Sequence, residues 1–463
     1  MNESSSFGDI RLDRRQNALL DAMVSRQSII INELSDNRAD QVAYQRFLNN
    51  EKVNIERILA CFNLQSSVDY TGKDLLIIQD TSDLGFGFNS NRGHLGYVGQ
   101  KTDKTGLHIH PCLILDAFNG ACYGLGSLET YYIDYEQTIA RQKAGIKKPI
   151  NKSAFPDKQS YRWYSSPEKA IANTPKASSY TIVGDQESDI YDALVRFEEK
   201  KWDYLVRSTG HRLIKSSTDQ TELLSQHLHR WKVEFSYHLN LPKTDKRTAH
   251  QAHLLVKFGK TTLLQPKSRP DKTLNSQIET FVIEVKESPD TVVNNEKPIH
   301  WILITSHPIQ SKEEALHFIQ CYCWRWVIEQ VFRTLKSEGI DLENSELENK
   351  QAIENQTVLA LIAAVQILQL VQARDGETKQ KIQEVFTEQE VDCLKELNTK
   401  LEGKTQKQKN PHKPTSLAFA CWVIARLGGW KGYKSRARPP GPITMKKGLI
   451  RFYNIIEGYY LLL

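Results

Sequence analysis

One short segment of the sequence surrounds a single acid with cations. Within residues 322–336, Glu329 is accompanied by Tyr322, Arg325, Arg333 and Lys336. At about 100° per residue, a helix places these five side chains within roughly 80° of one another. The opposite side is apolar and predicts a helix that docks on a core, through Val327, Ile328, Val331 and Leu335. Such a polar face suits a metal ion beside phosphates, but ordinary surface ion pairs give the same pattern.

Two further carboxylates follow apolar runs that predict buried strands. Asp80 ends "LLIIQD" and Asp185 ends "YTIVGD". An acid at the carboxyl end of a buried strand is how open sheets place chemistry in a crevice. Aspartate is also common in turns and caps at such positions, so both interpretations stay open. If the 322–336 helix packs beside the sheet, Asp80, Asp185 and Glu329 form a cluster of hard oxygen ligands that selects Mg²⁺ or Mn²⁺.

Two such ions about 4 Å apart would activate a water or a 3′-hydroxyl for phosphoryl transfer. The distribution of basic residues is compatible with a nucleic-acid substrate. The net charge is +6, and basic residues gather at 11–15, 400–413 and 431–438 as well as around the acidic helix. Separated basic stripes suit a protein that holds a long polyanion at several points, although the 400–413 run alone is typical of a solvated linker.

Composition narrows the class of protein. A chain of 463 residues predicts two to four domains. The start has no apolar signal-peptide core, and the run 357–371 is too short for a bilayer, so we expect a buried helix in a cytoplasmic protein with no membrane partner. Seven cysteines without paired spacing argue against a disulfide framework or a zinc site. His108 and His110 lack a third ligand at useful spacing, so we interpret them as structural.

The order of the predicted elements favours an α/β or α+β core between helical regions. Residues 8–65 have helical periodicity. From residue 74, short apolar runs predict strands, including a hairpin at "FNG" and the strands that precede and follow a helix near 190. Residues 211–300 predict a β-rich insertion, and a polar linker is expected at 395–415 before the last helices.

The residues quoted above match a known family pattern. Tyr322, Arg325, Glu329 and Lys336 have the spacing Y-x2-R-x3-E-x6-K, and Trp326 and Ile328 are in the usual places. The chain thereby resembles the DDE transposases of the insertion sequence 4 family, which includes the transposon-five enzyme. The likeness continues at "QDTSDL", "GDQESDIYD", "GDIRL", "YQRFLNN" and "LGGWKGYKSRARPPGP", so it covers nearly the whole chain and is weakest over 211–290.

This resemblance implies an RNase H-like catalytic core with a β-rich insertion, flanked by all-α domains. The implied division is an end-binding helical domain at 1–65, the core at 66–210 and 301–375, the insertion at 211–300 and a dimerisation region at 376–463. Asp80, Asp185 and Glu329 would be ligands of two Mg²⁺ or Mn²⁺ ions. The implied DNA contacts are phosphate contacts by Tyr322, Arg325 and Lys336, base stacking on Trp301, and a contact by Arg207. Arg333 lies on the same helix face, and its charge also suits a phosphate contact.

Two departures from the family pattern leave these ligands in place. Gln186 stands where the second acidic motif often has arginine, and Asp80 is followed by Thr81 and Ser82 where the family often has two threonines. The first departure puts one local contact with DNA or a carboxylate in doubt.

The resemblance implies a cut-and-paste transposase of the bacterial nucleoid that binds inverted terminal repeats of double-stranded DNA as a homodimer. It would nick the ends, form and open a hairpin, and join 3′-hydroxyls to target DNA. The alternative is a catalytically silent relative that only binds DNA or inhibits transposition. A glycosidase with paired carboxylates leaves the cationic face of the 322–336 helix unexplained. We also expect residues 1–65 to be removable without unfolding the catalytic core.

Overall fold

Among the residues that the computed structural model describes, thirteen strands share one sheet. The structure describes residues 6–460 except 66–67, 88–91, 93–94, 99–103, 134–152, 217–218, 244–246, 268–272, 295, 339 and 433–438. The strands are β1 (Asp74–Gln79), β2 (Ser82–Gly85), β3 (Gly96–Val98), β4 (Lys104–Asp116), β5 (Cys122–Tyr131), β6 (Ser179–Gly184), β7 (Asp203–Ser208), β8 (Leu213–Lys215), β9 (Thr221–Leu223), β10 (Phe235–Leu241), β11 (His250–Leu264), β12 (Gln277–Glu287) and β13 (His300–Thr305).

Helices surround this sheet, so the architecture is mixed α/β, as predicted. Those described are α1 (Ile10–Arg26), α2 (Ile31–Leu34), α3 (Arg38–Leu48), α4 (Ile55–Gln65), α5 (Arg162–Ala172), α6 (Tyr191–Glu199), α7 (Leu224–His229), α8 (Lys312–Trp324), α9 (Trp326–Arg333), α10 (Lys350–Ala373), α11 (Glu388–Leu401), α12 (Leu417–Leu427) and α13 (Pro442–Tyr460).

The centre of the sheet has the order β5-β4-β1-β6-β7. β4 runs antiparallel to β1 and β5, whereas β6 is parallel to β1 and β7 is parallel to β6. Strands covered on both faces read as continuous apolar runs, which is why β1, β6 and β7 are predictable. Leu75 and Ile77 enter the core shared with α5 and α6, while Leu76 and Ile78 enter the core shared with α8, α9 and α10.

The β-rich region at 211–300 continues this same sheet. β13 pairs with β7 on one side and with β12 on the other, and β12 pairs with β11. The short helix α7 within the region was not predicted, because its six residues are too few to show a helical period. The region is therefore joined to the central strands by backbone hydrogen bonds along β13.

Helix α10 packs against β5 and against helices of both the N-terminal and the C-terminal regions. By length and composition it could cross a membrane, but 83% of its most apolar window is buried inside the protein, as expected for a core helix. Its buried amide side chains bind backbone carbonyls of the N-terminal helical region. Asn355 Nδ2 donates to the Leu48 and Val53 carbonyls at 2.9 and 3.1 Å, and Gln356 Nε2 donates to the Ile29 carbonyl at 2.7 Å.

These contacts argue against the expectation that residues 1–65 can be removed from a folded core. Removal would expose the apolar face of α10 and leave Asn355 and Gln356, each 1% exposed, without their partners. Buried polar groups that lose their hydrogen bonds are costly.

The prediction of a polar linker at 395–415 is wrong for its first residues. α11 continues to Leu401 after a capping box in which Thr387 and Glu390 bind each other's backbone N–H groups. Val391, Leu394 and Leu397 recur every three residues and are buried, so apolar packing holds this polar-looking segment in a helix.

We predict that Asn355→Ala lowers the free energy of unfolding by about 2 kcal/mol, because two buried carbonyls lose their donor. Asn454→Ala, at an exposed position of α13, is the control and should change it by less than about 0.5 kcal/mol. Urea unfolding followed by circular dichroism measures both. Equal stability of the two variants would show that α10 does not depend on these contacts.

Candidate active site

Asp80 and Asp185 lie side by side because their strands are parallel neighbours. Ile78 pairs with Val183 in the β1–β6 ladder, and the same register continued by two residues sets Asp80 beside Asp185. Both also have the turn role that the sequence left open. Asp80 Oδ1 accepts from the Thr81 N–H at 2.8 Å, and Asp185 Oδ1 accepts from the Glu187 N–H at 2.8 Å.

The sheet itself explains why Asp80 is free of the strand ladder. β1 and β2 both pair with β4, with Gln79 opposite Cys112 and Ser82 opposite Ile109. That register sets Asp80 opposite Pro111, which has no N–H to donate. The backbone ladder is therefore interrupted at Asp80 and Thr81, between β1 and β2.

Arg325 connects Asp80 to Glu329. Its Nη1 donates to Asp80 Oδ2 at 2.6 Å and its Nη2 donates to Glu329 Oε1 at 2.8 Å. Arg325 lies between the end of α8 and the start of α9 with helical backbone angles, and its side chain is 13% exposed. The residues predicted as one helix face therefore reach the end of β1.

The three predicted carboxylates influence one another electrostatically. The pKa of Asp80 is raised to about 6, mainly by burial; Arg325 lowers it, and Asp185 and Glu329 contribute to the increase. Burial lowers the pKa of Arg325, but Tyr322, Asp80 and Glu329 outweigh it, so that pKa is raised. Like-charged carboxylates that share a poorly hydrated place disfavour each other's ionisation, and Arg325 partly compensates.

Tyr322, Trp301 and Arg207 form a cluster next to Arg325. The Tyr322 ring is buried and meets Trp301 edge-on at 5.5 Å, and the Arg325 guanidinium lies 5.8 Å from the same ring. Burial raises the pKa of Tyr322, while Arg325 and Arg207 lower it. Trp301 is partly buried, so part of its ring packs against the core and part is accessible to solvent.

Lys336 lies farther along, toward β2. Residues Thr334–Glu338 form a π-helical turn, in which successive side chains are not spaced by the 100° of an α-helix. The prediction of one regular α-helix over 322–336 is therefore wrong at Lys336. Burial lowers the pKa of Lys336, and it faces Glu343, Asp83 and Lys104. Arg333 is exposed at the end of α9. The apolar side of the segment is buried as predicted.

His108 and His110 are structural, as the sequence suggested. His108 Nδ1 binds Asp83 at 2.7 Å and its ring stacks on Tyr131, whereas His110 is buried against Trp163. Sequence reasoning missed Arg162, which begins α5 and binds the Thr81 hydroxyl. Nothing in its sequence context marks it, since the contact joins segments 81 residues apart.

The donor set fits a hard divalent cation, because Asp80, Asp185 and Glu329 offer only carboxylate oxygens. Within the described ranges, however, no three His, Cys, Asp or Glu side chains are grouped closely enough to hold a metal. Arg325 occupies one oxygen of Asp80 and one of Glu329. A metal at these oxygens therefore requires Arg325 to move away.

Residues 169–366 match the family model described as the transposase DDE domain. The match includes Asp185 and Glu329, begins after Asp80 and spans less than half of the chain. It supports a DDE transposase, and hence a DNA-cleaving enzyme of the kind that generally uses divalent metal ions. The chain is also similar to the piggyBac transposase in a cryo-EM structure of its synaptic complex with hairpin DNA. That similarity has 10% identity over 80% of this chain and 69% of the other, with a TM-score of 0.37, and is too distant to support an argument about this chain.

We predict that Asp80→Asn stabilises the metal-free protein. A carboxyl whose folded pKa is raised from 3.8 to about 6 is stabilising while protonated, and this contribution is lost as the pH rises from about 4 to about 6. The variant should therefore match the wild type below pH 4 and exceed it by on the order of 2 kcal/mol above pH 6. Urea unfolding in EDTA across this range measures the difference, and a gap that does not grow with pH would contradict the shift.

Proposed function

We propose that this protein is a cut-and-paste DNA transposase of the insertion sequence 4 family. The observation that carries the proposal is that Arg325 binds both Asp80, at the end of β1, and Glu329 of α9, while Asp185 at the end of the neighbouring β6 is near enough to raise the pKa of Asp80. A pure binding protein has no need for clustered carboxylates that repel one another. The transposase DDE domain match over 169–366 supports the same class.

The proposed catalytic core is RNase H-like. Its support is the strand order β5-β4-β1-β6-β7, in which three antiparallel strands are extended by two parallel ones. Open sheets bind ligands outside the carboxyl ends of their parallel strands, which is where Asp80 and Asp185 lie.

In this proposal Asp80, Asp185 and Glu329 hold two Mg²⁺ or Mn²⁺ ions. When bound, such ions would activate the attacking hydroxyl and stabilise charge on the phosphate. The chain's own groups position the DNA. Arg325 then breaks its hydrogen bonds to the two carboxylates and binds a phosphate oxygen, because a planar guanidinium matches the geometry of a phosphate group.

The remaining DNA contacts follow the same assignment. Tyr322, Lys336 and Arg333 bind phosphates near the cleaved end, and Trp301 stacks on a base displaced during hairpin formation, a contact worth roughly 1–3 kcal/mol. The partial exposure of Trp301 beside Tyr322 and the nearness of Arg207 to Tyr322 support one DNA-binding surface. The N-terminal helices would bind the inverted repeats, and residues 376–463 would support a homodimer on the bacterial nucleoid.

One observation also fits the catalytically silent alternative. Arg325 pairs with two carboxylates without any metal, an arrangement that a relative that only binds or inhibits could also have. Cleavage of DNA separates the two functions.

The wild type should nick or form hairpins at the boundary of labelled duplexes carrying the element's own terminal repeats, and should require Mg²⁺ or Mn²⁺. Asp185→Ala and Glu329→Gln should lower the cleavage rate by at least about 10³-fold, because each removes a metal ligand. Glu168→Gln, at a half-exposed position of α5, is the charge-matched control. Binding of the ends without cleavage in either metal would favour the silent relative.

Arg325→Gln should tighten Mn²⁺ binding by the DNA-free protein, because it removes the competing cation and leaves the carboxylates facing each other. The same change should slow DNA cleavage, since a phosphate contact is lost. Free Mn²⁺ measured by electron paramagnetic resonance gives the affinity. Arg230→Gln, the control, removes an equal charge at a position far along the chain and should change neither property. Equal Mn²⁺ affinity in the wild type and both variants would contradict the idea that Arg325 competes with the metal for the carboxylates.

A further inference from the structure

A buried chain of hydrogen bonds runs behind Asp80. Gln79 and His110 are fully buried, and Gln79 Nε2 donates to the Trp163 carbonyl at 3.1 Å. The Gln79 Oε1 is thereby turned toward His110 Nε2, 2.9 Å away. Because this oxygen can only accept, His110 carries its proton on Nε2 and presents Nδ1 as an acceptor.

The chain continues to Thr81. His110 Nδ1 lies 2.8 Å from Thr81 Oγ1, so the hydroxyl donates to the ring. The hydroxyl oxygen then accepts from Arg162 Nε at 3.4 Å, and the Thr81 N–H holds Asp80 Oδ1. The direction of each bond follows from the Gln79 amide, and a neutral imidazole is the state that satisfies them all.

Arg162 connects the loop after β1, which contains Asp80 and Thr81, to the loop after β6, which contains Asp185 and Glu187. Its Nη2 reaches Glu187 Oε2 at 3.4 Å, and the Glu187 N–H binds Asp185. Because Glu187 is 66% exposed, that ion pair adds little energy. The guanidinium is held instead by the Gln159 carbonyl at 2.9 Å and by the Tyr131 ring at 4.7 Å, so one fixed side chain touches both loops.

We propose that His110 and Arg162 are positioning residues that act through Thr81 and Glu187 to hold Asp80 and Asp185 at a fixed separation and orientation. The role rests on the proposed function, in which these two carboxylates bind metal. Groups that hold a ligand from behind orient it, and their loss typically weakens metal binding or activity by 10–100-fold.

The first test compares Thr81→Val, which has the same shape without the hydroxyl, with Thr81→Ser, which keeps it. Mn²⁺ binding to the full chain is measured by electron paramagnetic resonance, and thermal unfolding shows whether each variant is folded. Thr81→Val should bind Mn²⁺ about tenfold more weakly, and Thr81→Ser should restore nearly wild-type affinity.

The second test keeps the charge. Arg162→Lys retains the cation but loses the planar fork that reaches both loops, so it should also weaken Mn²⁺ binding several-fold. Lys169→Arg, on the same helix, is the matched control. Folded Thr81→Val and Arg162→Lys proteins with wild-type affinity would overturn the positioning role alone, whereas the absence of Mn²⁺ binding in both the wild type and Arg325→Gln would overturn the proposed metal site itself.

Discussion

The bridge that Arg325 makes between Asp80 and Glu329, at the edge of the sheet where carboxylates repel one another, is the interaction on which the candidate site depends. The parallel pairing of β1 with β6 brings Asp80 beside Asp185, and α9 adds Glu329. Burial is the largest cause of the raised pKa of Asp80, and repulsion from Asp185 and Glu329 adds to it. Arg325 meets this repulsion by binding Asp80 and Glu329 at once, and the same two contacts fix the helical segment against the end of the strand.

A site that contains its own cation can fold before any ligand arrives. Arg325 provides a positive charge beside the carboxylates when no ligand is bound, and its guanidinium lies against the buried Tyr322 ring. In the proposed reaction, Asp80 and Glu329 would bind metal ions in place of Arg325, and Arg325 would bind a phosphate instead. The chemistry of both partners favours the exchange, because hard oxygen ligands prefer divalent cations and a guanidinium matches a phosphate.

The large sheet makes the proposed DNA-binding groups parts of one framework. Leu303 of β13 pairs with Arg207 of β7, and Trp301 on β13 contacts Tyr322 on α8. The N-terminal helices are likewise joined to α10 through buried amides. If the N-terminal helices bind a DNA end as proposed, a packed core and not a flexible linker connects them to the candidate active site.

The sequence by itself determined the strongly periodic and strongly apolar elements. β1, β6 and β7 are predictable because both of their faces are buried, and the apolar side of the 322–336 segment is predictable because Val327, Ile328, Val331 and Leu335 repeat with the helical period. The residue types Asp80, Asp185 and Glu329 also indicated hard-cation chemistry. Only the tertiary structure decided how these residues meet. Parallel register set the two aspartates side by side, Pro111 interrupted the ladder opposite Asp80, a π-helical turn displaced Lys336, and Arg162 reached two loops from a distant helix. Such contacts join positions far apart in the chain, and local propensity and spacing carry no information about them.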